Sequence, residues 1–65
     1  MLEVGKTYRI TMSHMEVGEG LVQATYPNRT TVEIEWPVVR FQDLLGDSMV
    51  VNLSSPHFVM AEPQE

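Results

Sequence analysis

The sequence predicts a small all-β domain, a partly open barrel of five strands, on three observations. Apolar and polar residues alternate with a period close to two along most of the chain, and no helix-length window shows a helical period. Clusters of Gly, Pro, Asn and Ser divide the alternating runs. The chain has 65 residues, room for one domain that buries only about 60% of its unfolded surface.

Lys6 to Met12 sets Tyr8, Ile10 and Met12 on one face and Thr7, Arg9 and Thr11 on the other, a pattern suited to a half-buried pleated surface. Ser13 to Gly20, with Gly18 and Gly20, reads as a long polar connection. Leu21 to Tyr26 turns Val22 and Ala24 inward. Pro27-Asn28-Arg29 has the chemistry of a turn, because Pro presets one φ and Asn tolerates an unusual one after it, and so predicts a tight hairpin from Thr25 to Thr31. Thr30 to Trp36 is the clearest strand, with Val32, Ile34 and Trp36 alternating against Thr31, Glu33 and Glu35. Pro37 cannot donate to a ladder, so Thr30 to Phe41 is read as one long strand bent there, with two strands broken at Trp36-Pro37 as the alternative. Asp43 to Asp47 is a short connection, Ser48 to Leu53 a strand, and Ser54-Ser55-Pro56-His57 a single 3₁₀ turn before a last strand, Phe58 to Ala61. Residues 1–61 form the domain and 62–65 a frayed tail.

Two segments carry a resemblance. Val4-Gly5-Lys6-Thr7-Tyr8-Arg9-Ile10 at the start and Ser54-Ser55-Pro56-His57-Phe58-Val59 at the end, in this order of elements, resemble the SH3-like barrel. The start is also similar to that of short, uncharacterised bacterial proteins. The resemblance implies a long loop after the first strand and a 3₁₀ turn before the last. It implies no particular function, since one fold hosts many. Peptide-binding members dock polyproline helices on clustered exposed aromatics, and this chain has only five aromatic residues (Trp 1, Tyr 2, Phe 2), several needed for the core.

Composition narrows the chemistry. With no Cys there is no disulfide, thiolate metal site or cysteine nucleophile. Nine acidic residues against four basic ones, net charge -5, argue against a phosphate-backbone binder, which draws its affinity from Lys and Arg. Met1 to Ile10 carries Glu3, Lys6 and Arg9 where a signal segment would be apolar, and no run is long enough to span a membrane, so a cytoplasmic location is expected. For the same reason the glycosylation patterns at Asn28-Arg29-Thr30 and Asn52-Leu53-Ser54 carry no consequence.

Each candidate for chemistry has a plainer structural reading. Met12, His14 and Met15 could hold a soft ion such as Cu(I), but a continuing strand would put these side chains on opposite faces. His14, Glu16 and Glu19, with the distant His57, lack the usual spacing of zinc ligands. Ser54 or Ser55 with His57 could form a nucleophile-base pair, yet serines here more commonly cap a turn. Glu33 and Glu35 share a strand face that reads as solvated, not as an acid-base pair in a pocket. Gly18-Glu19-Gly20 is a loop and no phosphate cradle.

What remains is an excess of apolar side chains. At 43%, the apolar content exceeds what one inner face requires, and Leu21, Val38 and Val50 fall on outward positions. Trp36 is expected in the core by its register with Val32 and Ile34, although Trp also anchors interfaces. Leu21, Trp36, Val38 and Val50 are therefore the candidate partner surface. The expected function is a non-enzymatic protein interaction or assembly module, acting through a protein partner or self-association, with no cofactor and no metal. The alternative is a small barrel that binds single-stranded nucleic acid through Tyr8, Tyr26 and Trp36 with Arg9, Arg29 and Arg40.

Overall fold

The computed structural model describes residues 2–64; Met1 and Glu65 lie outside it. Five antiparallel strands form one sheet: β1 (Thr7–Glu16), β2 (Gly20–Glu35), β3 (Val38–Gln42), β4 (Ser48–Asn52) and β5 (Phe58–Pro63). Their order is β4-β3-β2-β1-β5, so β4 and β5 are edges and the sheet is not closed into a full barrel. The described residues contain no helix, and so none long and apolar enough to cross a membrane.

The period-two pattern does produce five strands, but the chain divides differently from expectation. β1 runs through Ser13 to Glu16, and Glu16 pairs with Gly20, so the expected long loop is a tight turn at Val17-Gly18-Glu19. The turn is closed by the Glu19 N–H on the Glu16 carbonyl at 3.1 Å, with Gly18 at φ 85, a conformation that costs glycine little.

The expected Thr25 to Thr31 hairpin is absent, because Pro27, Asn28 and Arg29 lie within the 16-residue β2. Tyr26 and Arg29 both pair with β1, opposite Ile10 and Tyr8, so two β2 residues face the single Arg9. Asn28, at φ 58, supplies the positive φ of this bulge. The turn chemistry is real, but β1 takes up both halves of β2, and the outcome is a bend.

Trp36-Pro37 shows the opposite case. Glu35 pairs with Val38, and the chain reverses through a two-residue turn with a cis Trp36-Pro37 peptide. The continuous strand from Thr30 to Phe41 is corrected to two strands, the break that the sequence offered as its alternative. The expected 3₁₀ turn is instead a pair of successive turns, with the Ser55 N–H donating to the Asn52 carbonyl at 3.0 Å and the Phe58 N–H to the Ser55 carbonyl at 3.1 Å. The Asn52 and Ser55 side chains accept from the Ser54 and His57 N–H groups, local bonds that compete with a helical turn.

Register irregularities at Tyr8/Ile10, Thr11/Met12 and Thr31/Glu33 add twist and curl the sheet around its concave face. There Tyr8, Ile10, Val39, Phe41 and Val51 are buried, flanked by Met12, Tyr26, Ile34, Met49, Leu53, Phe58 and Ala61. The third irregularity reverses one expectation. Thr31 pairs with Phe41 and is buried, although the alternation placed it in water. At the C-terminus β5 extends to Pro63, and Gln64 is tied to Asn28 by reciprocal hydrogen bonds of 2.9 and 2.7 Å. Glu62 to Gln64 therefore belong to the sheet and its border and not to a frayed tail; Glu65 is outside the described residues.

Candidate partner surface

The two-residue turn after β2 holds Trp36 out from the sheet. The carbonyl of its neighbour Pro37 accepts a hydrogen bond from the Leu53 N–H at 2.8 Å, which fastens the turn to the chain leaving β4. Trp36 is 73% exposed, which corrects its expected core position. The alternation that places Ile34 inside ends at Glu35, where β2 ends, so Trp36 takes its direction from the turn.

Beside it lies an apolar cleft of about 350 Å³ at the open side of the curled sheet. Ile34, Trp36 and Val39 line one side, Phe58, Ala61 and Pro63 another, with Leu2, Tyr8 and Leu53 completing it. No charged side chain lines the cleft. An apolar concavity with an aromatic at its mouth suits an apolar anchor far better than a polar or ionic ligand.

The other three candidate residues lie elsewhere. Leu21, 67% exposed, is opposite Met15 near the tip of the β1–β2 hairpin, at the far end of β2 from Trp36. Val38 and Val50 are on the convex face of β3 and β4, 38% and 65% exposed, beside Glu33, Glu35 and Arg40. The four residues thus form three separate surfaces. Leu2, Tyr8, Leu53, Phe58 and Pro63 belong to the cleft, but in the sequence Tyr8, Leu53 and Phe58 read as ordinary strand residues, Leu2 lies before the first expected strand, and Pro63 falls in the expected frayed tail. Nothing in a period-two pattern distinguishes a core wall from the wall of an open seam.

The chemical candidates find local partners. The Ser55 hydroxyl accepts the His57 N–H at 3.1 Å, while the His57 ring donates through Nδ1 to the Ser13 carbonyl at 3.1 Å. The geometry pins the last turn to β1 and forms no Ser-His pair. His14 Nε2 meets the Glu16 carboxylate at 3.1 Å on an exposed strand face, and continuation of β1 puts Met15 on the opposite face from Met12 and His14. Among the described residues no group of three His, Asp or Glu side chains is arranged to hold a metal. Glu33 accepts a hydrogen bond from Arg40 at 3.0 Å across the β2–β3 register.

The arginines are similarly engaged. Arg9 pairs with Glu62 at 3.7 Å, Arg29 with Asp43 at 3.2 Å and Arg40 with Glu33 at 3.0 Å. Arg29 also lies over the Tyr26 ring, 5.6 Å from its centroid. Tyr8 is buried, leaving Trp36 as the freely presented aromatic of the three named for base stacking. Asp43 organises its loop, accepting the Leu45 and Asp47 N–H groups at 2.9 Å each through one carboxylate oxygen. The Asp47 bond leads the effects that hold its pKa below the ordinary 3.8.

Comparison with known proteins finds no matching family model, no similar curated protein and no similar solved structure.

Proposed function

We propose that the chain is a non-enzymatic interaction or assembly module, built as an SH3-like barrel, and that the Trp36 cleft receives an apolar anchor from a protein segment. The observation that carries this reading is the exposed indole at the mouth of an uncharged apolar cleft. Exposed Trp beside a preformed pocket is the usual composition of an interface hot spot. The strand order and the long bent β2 support the barrel assignment.

The nucleic-acid alternative has less to stand on. All three arginines it would use are matched to carboxylates, and a stacking platform needs more than one presented aromatic ring.

The test compares immobilised wild-type chain with Trp36→Ala in capture from native lysate, followed by binding measurements with the purified captured protein. A protein held by the wild type and released at least about tenfold more readily by the variant supports the reading. Equal retention by both, or recovery of oligonucleotide alone, overturns it.

A further inference from the structure

The β1–β2 hairpin leaves the body of the sheet. β5 pairs with β1 only as far as Met12, and β3 pairs with β2 only from Thr30 onward, so beyond His14 and Val22 the ribbon has two strands and no neighbour. His14 to Glu16 carry it outward by roughly 10 Å, at about 3.3 Å per residue. A turn at such a tip is ordinarily built from polar residues and glycine. Here Val17 takes the first central position of the Glu16–Glu19 turn and is fully exposed. Behind it the cross-strand pair Met15 and Leu21 is exposed on one face of the ribbon. None of the three belongs to the core or to the residues packed against it, so the fold itself has no use for their apolar character.

The matching half of a contact lies on the same chain. The cleft beside Trp36 is concave, apolar and without a charged lining residue. The tip precedes the start of the 16-residue β2 and Trp36 follows its end, in a molecule 38 Å long, so the tip cannot reach the cleft of its own chain. The unmatched charges are also opposite at the two ends. Glu19, beside the tip, has no cation partner among the described residues. Lys6 is the one Lys or Arg without a carboxylate partner among those residues, and it lies in the stretch between Leu2 and Tyr8 that walls the cleft. Glu3 shares that stretch, while Glu35 is directed to the convex face beside Val38 and Val50. Lys6 is therefore the group by which the cleft end accepts an acidic tip. A foreign partner would need only one of these surfaces; the chain carries both halves of one joint.

We infer that the β1–β2 hairpin tip is the apolar anchor of the Trp36 cleft in a second copy of this chain, Val17 entering the cleft and Glu19 facing Lys6. The inference rests on the cleft being the interaction site proposed above, and names its occupant. The contact is heterologous: each tip meets the cleft of the next copy, one tip and one cleft stay open at the ends, and copies add head to tail.

The experiment follows the mass of the full chain by sedimentation over a range of concentrations. The wild type is compared with a tip variant, Val17→Asn with Leu21→Thr, with the cleft variant Trp36→Ala, and with an equal mixture of the two. All three positions are exposed, so the variants keep the fold, checked by circular dichroism. The wild-type mass should rise with concentration past that of a dimer, and each variant alone should associate at least about tenfold more weakly. The mixture should stop at a one-to-one dimer, because one member lacks a tip and the other a cleft. Trp36 is the chain's one Trp, so in that mixture only the tip variant fluoresces, and its emission should shift to the blue as the Trp-free chain is added. A wild-type monomer at all concentrations overturns the inference, as does association that survives the tip variant or a mixture that grows past the dimer. A monomer that still releases a captured protein on Trp36→Ala leaves the proposed function standing without this occupant; a monomer whose capture ignores Trp36 removes both.

Discussion

Thr31 is only 1% exposed, and its hydroxyl is buried with no hydrogen-bond partner. An unsatisfied buried hydroxyl costs free energy that an isosteric methyl does not. Thr31→Val should therefore stabilise the fold by about 1 kcal/mol, measured by urea unfolding. Asp43 makes the opposite kind of contribution. Its pKa is lowered chiefly by the Asp47 N–H, with the Leu45 N–H and Arg29 adding to the effect against the opposing effect of burial. Because the folded value lies below the ordinary 3.8, the carboxylate stabilises the fold above that pH and loses its effect as pH falls through the folded value. Asp43→Asn should be less stable than wild type at neutral pH, and the gap should close on acidification below 3.8. Unfolding curves at a series of pH values read this directly; a gap constant with pH would show that the loop depends on the side chain's shape alone.

At the scale of elements, β2 decides the architecture. Its alternation is plain in Leu21 to Tyr26 and in Thr30 to Trp36, so both halves are legible as strands. Their identity as one element is not, because Pro27-Asn28-Arg29 has the chemistry of a turn, and only the shared partner β1 distinguishes a bulge from a hairpin. Asn28 serves the bend twice, through its φ of 58 and through its side-chain oxygen, which accepts from Gln64. Asn28→Ala should cost about 2 kcal/mol, from positive-φ strain and the lost bond, while Asn28→Gly should cost about half as much because glycine adopts that φ freely. Thermal unfolding of the two variants checks the ranking; equal losses would mean that the backbone conformation contributes nothing. The break at Trp36-Pro37 was legible as an alternative because proline marks a ladder's interruption, whereas the choice between bend and reversal rests on β3 pairing back onto β2.

For the whole molecule, the open side of the curled sheet matters most. The cleft exists because β4 and β5 do not pair, leaving Leu53 and Phe58 on either side of a gap with Trp36 at its mouth. Since Trp36 contributes little to the core, Trp36→Ala should change stability by less than about 0.5 kcal/mol, so that the capture test proposed above compares two equally folded proteins. Denaturant midpoints of the two proteins test this, and a large loss of stability would place the indole in the core after all. The wild-type Trp fluorescence should be close to that of the unfolded chain, and should shift to the blue when a partner fills the cleft.

The sequence by itself determined the all-β class, the approximate strand segments, the acidic surface and the outward exposure of Leu21, Val38 and Val50, because alternation and charge are local properties of the chain. Tertiary structure decided which strands pair, that β2 bends where a turn was expected, that Trp36 leaves the core, and that the cleft exists. Those features depend on register between segments distant in the chain, and a one-residue bulge reverses the facing of every residue downstream of it without changing the local pattern.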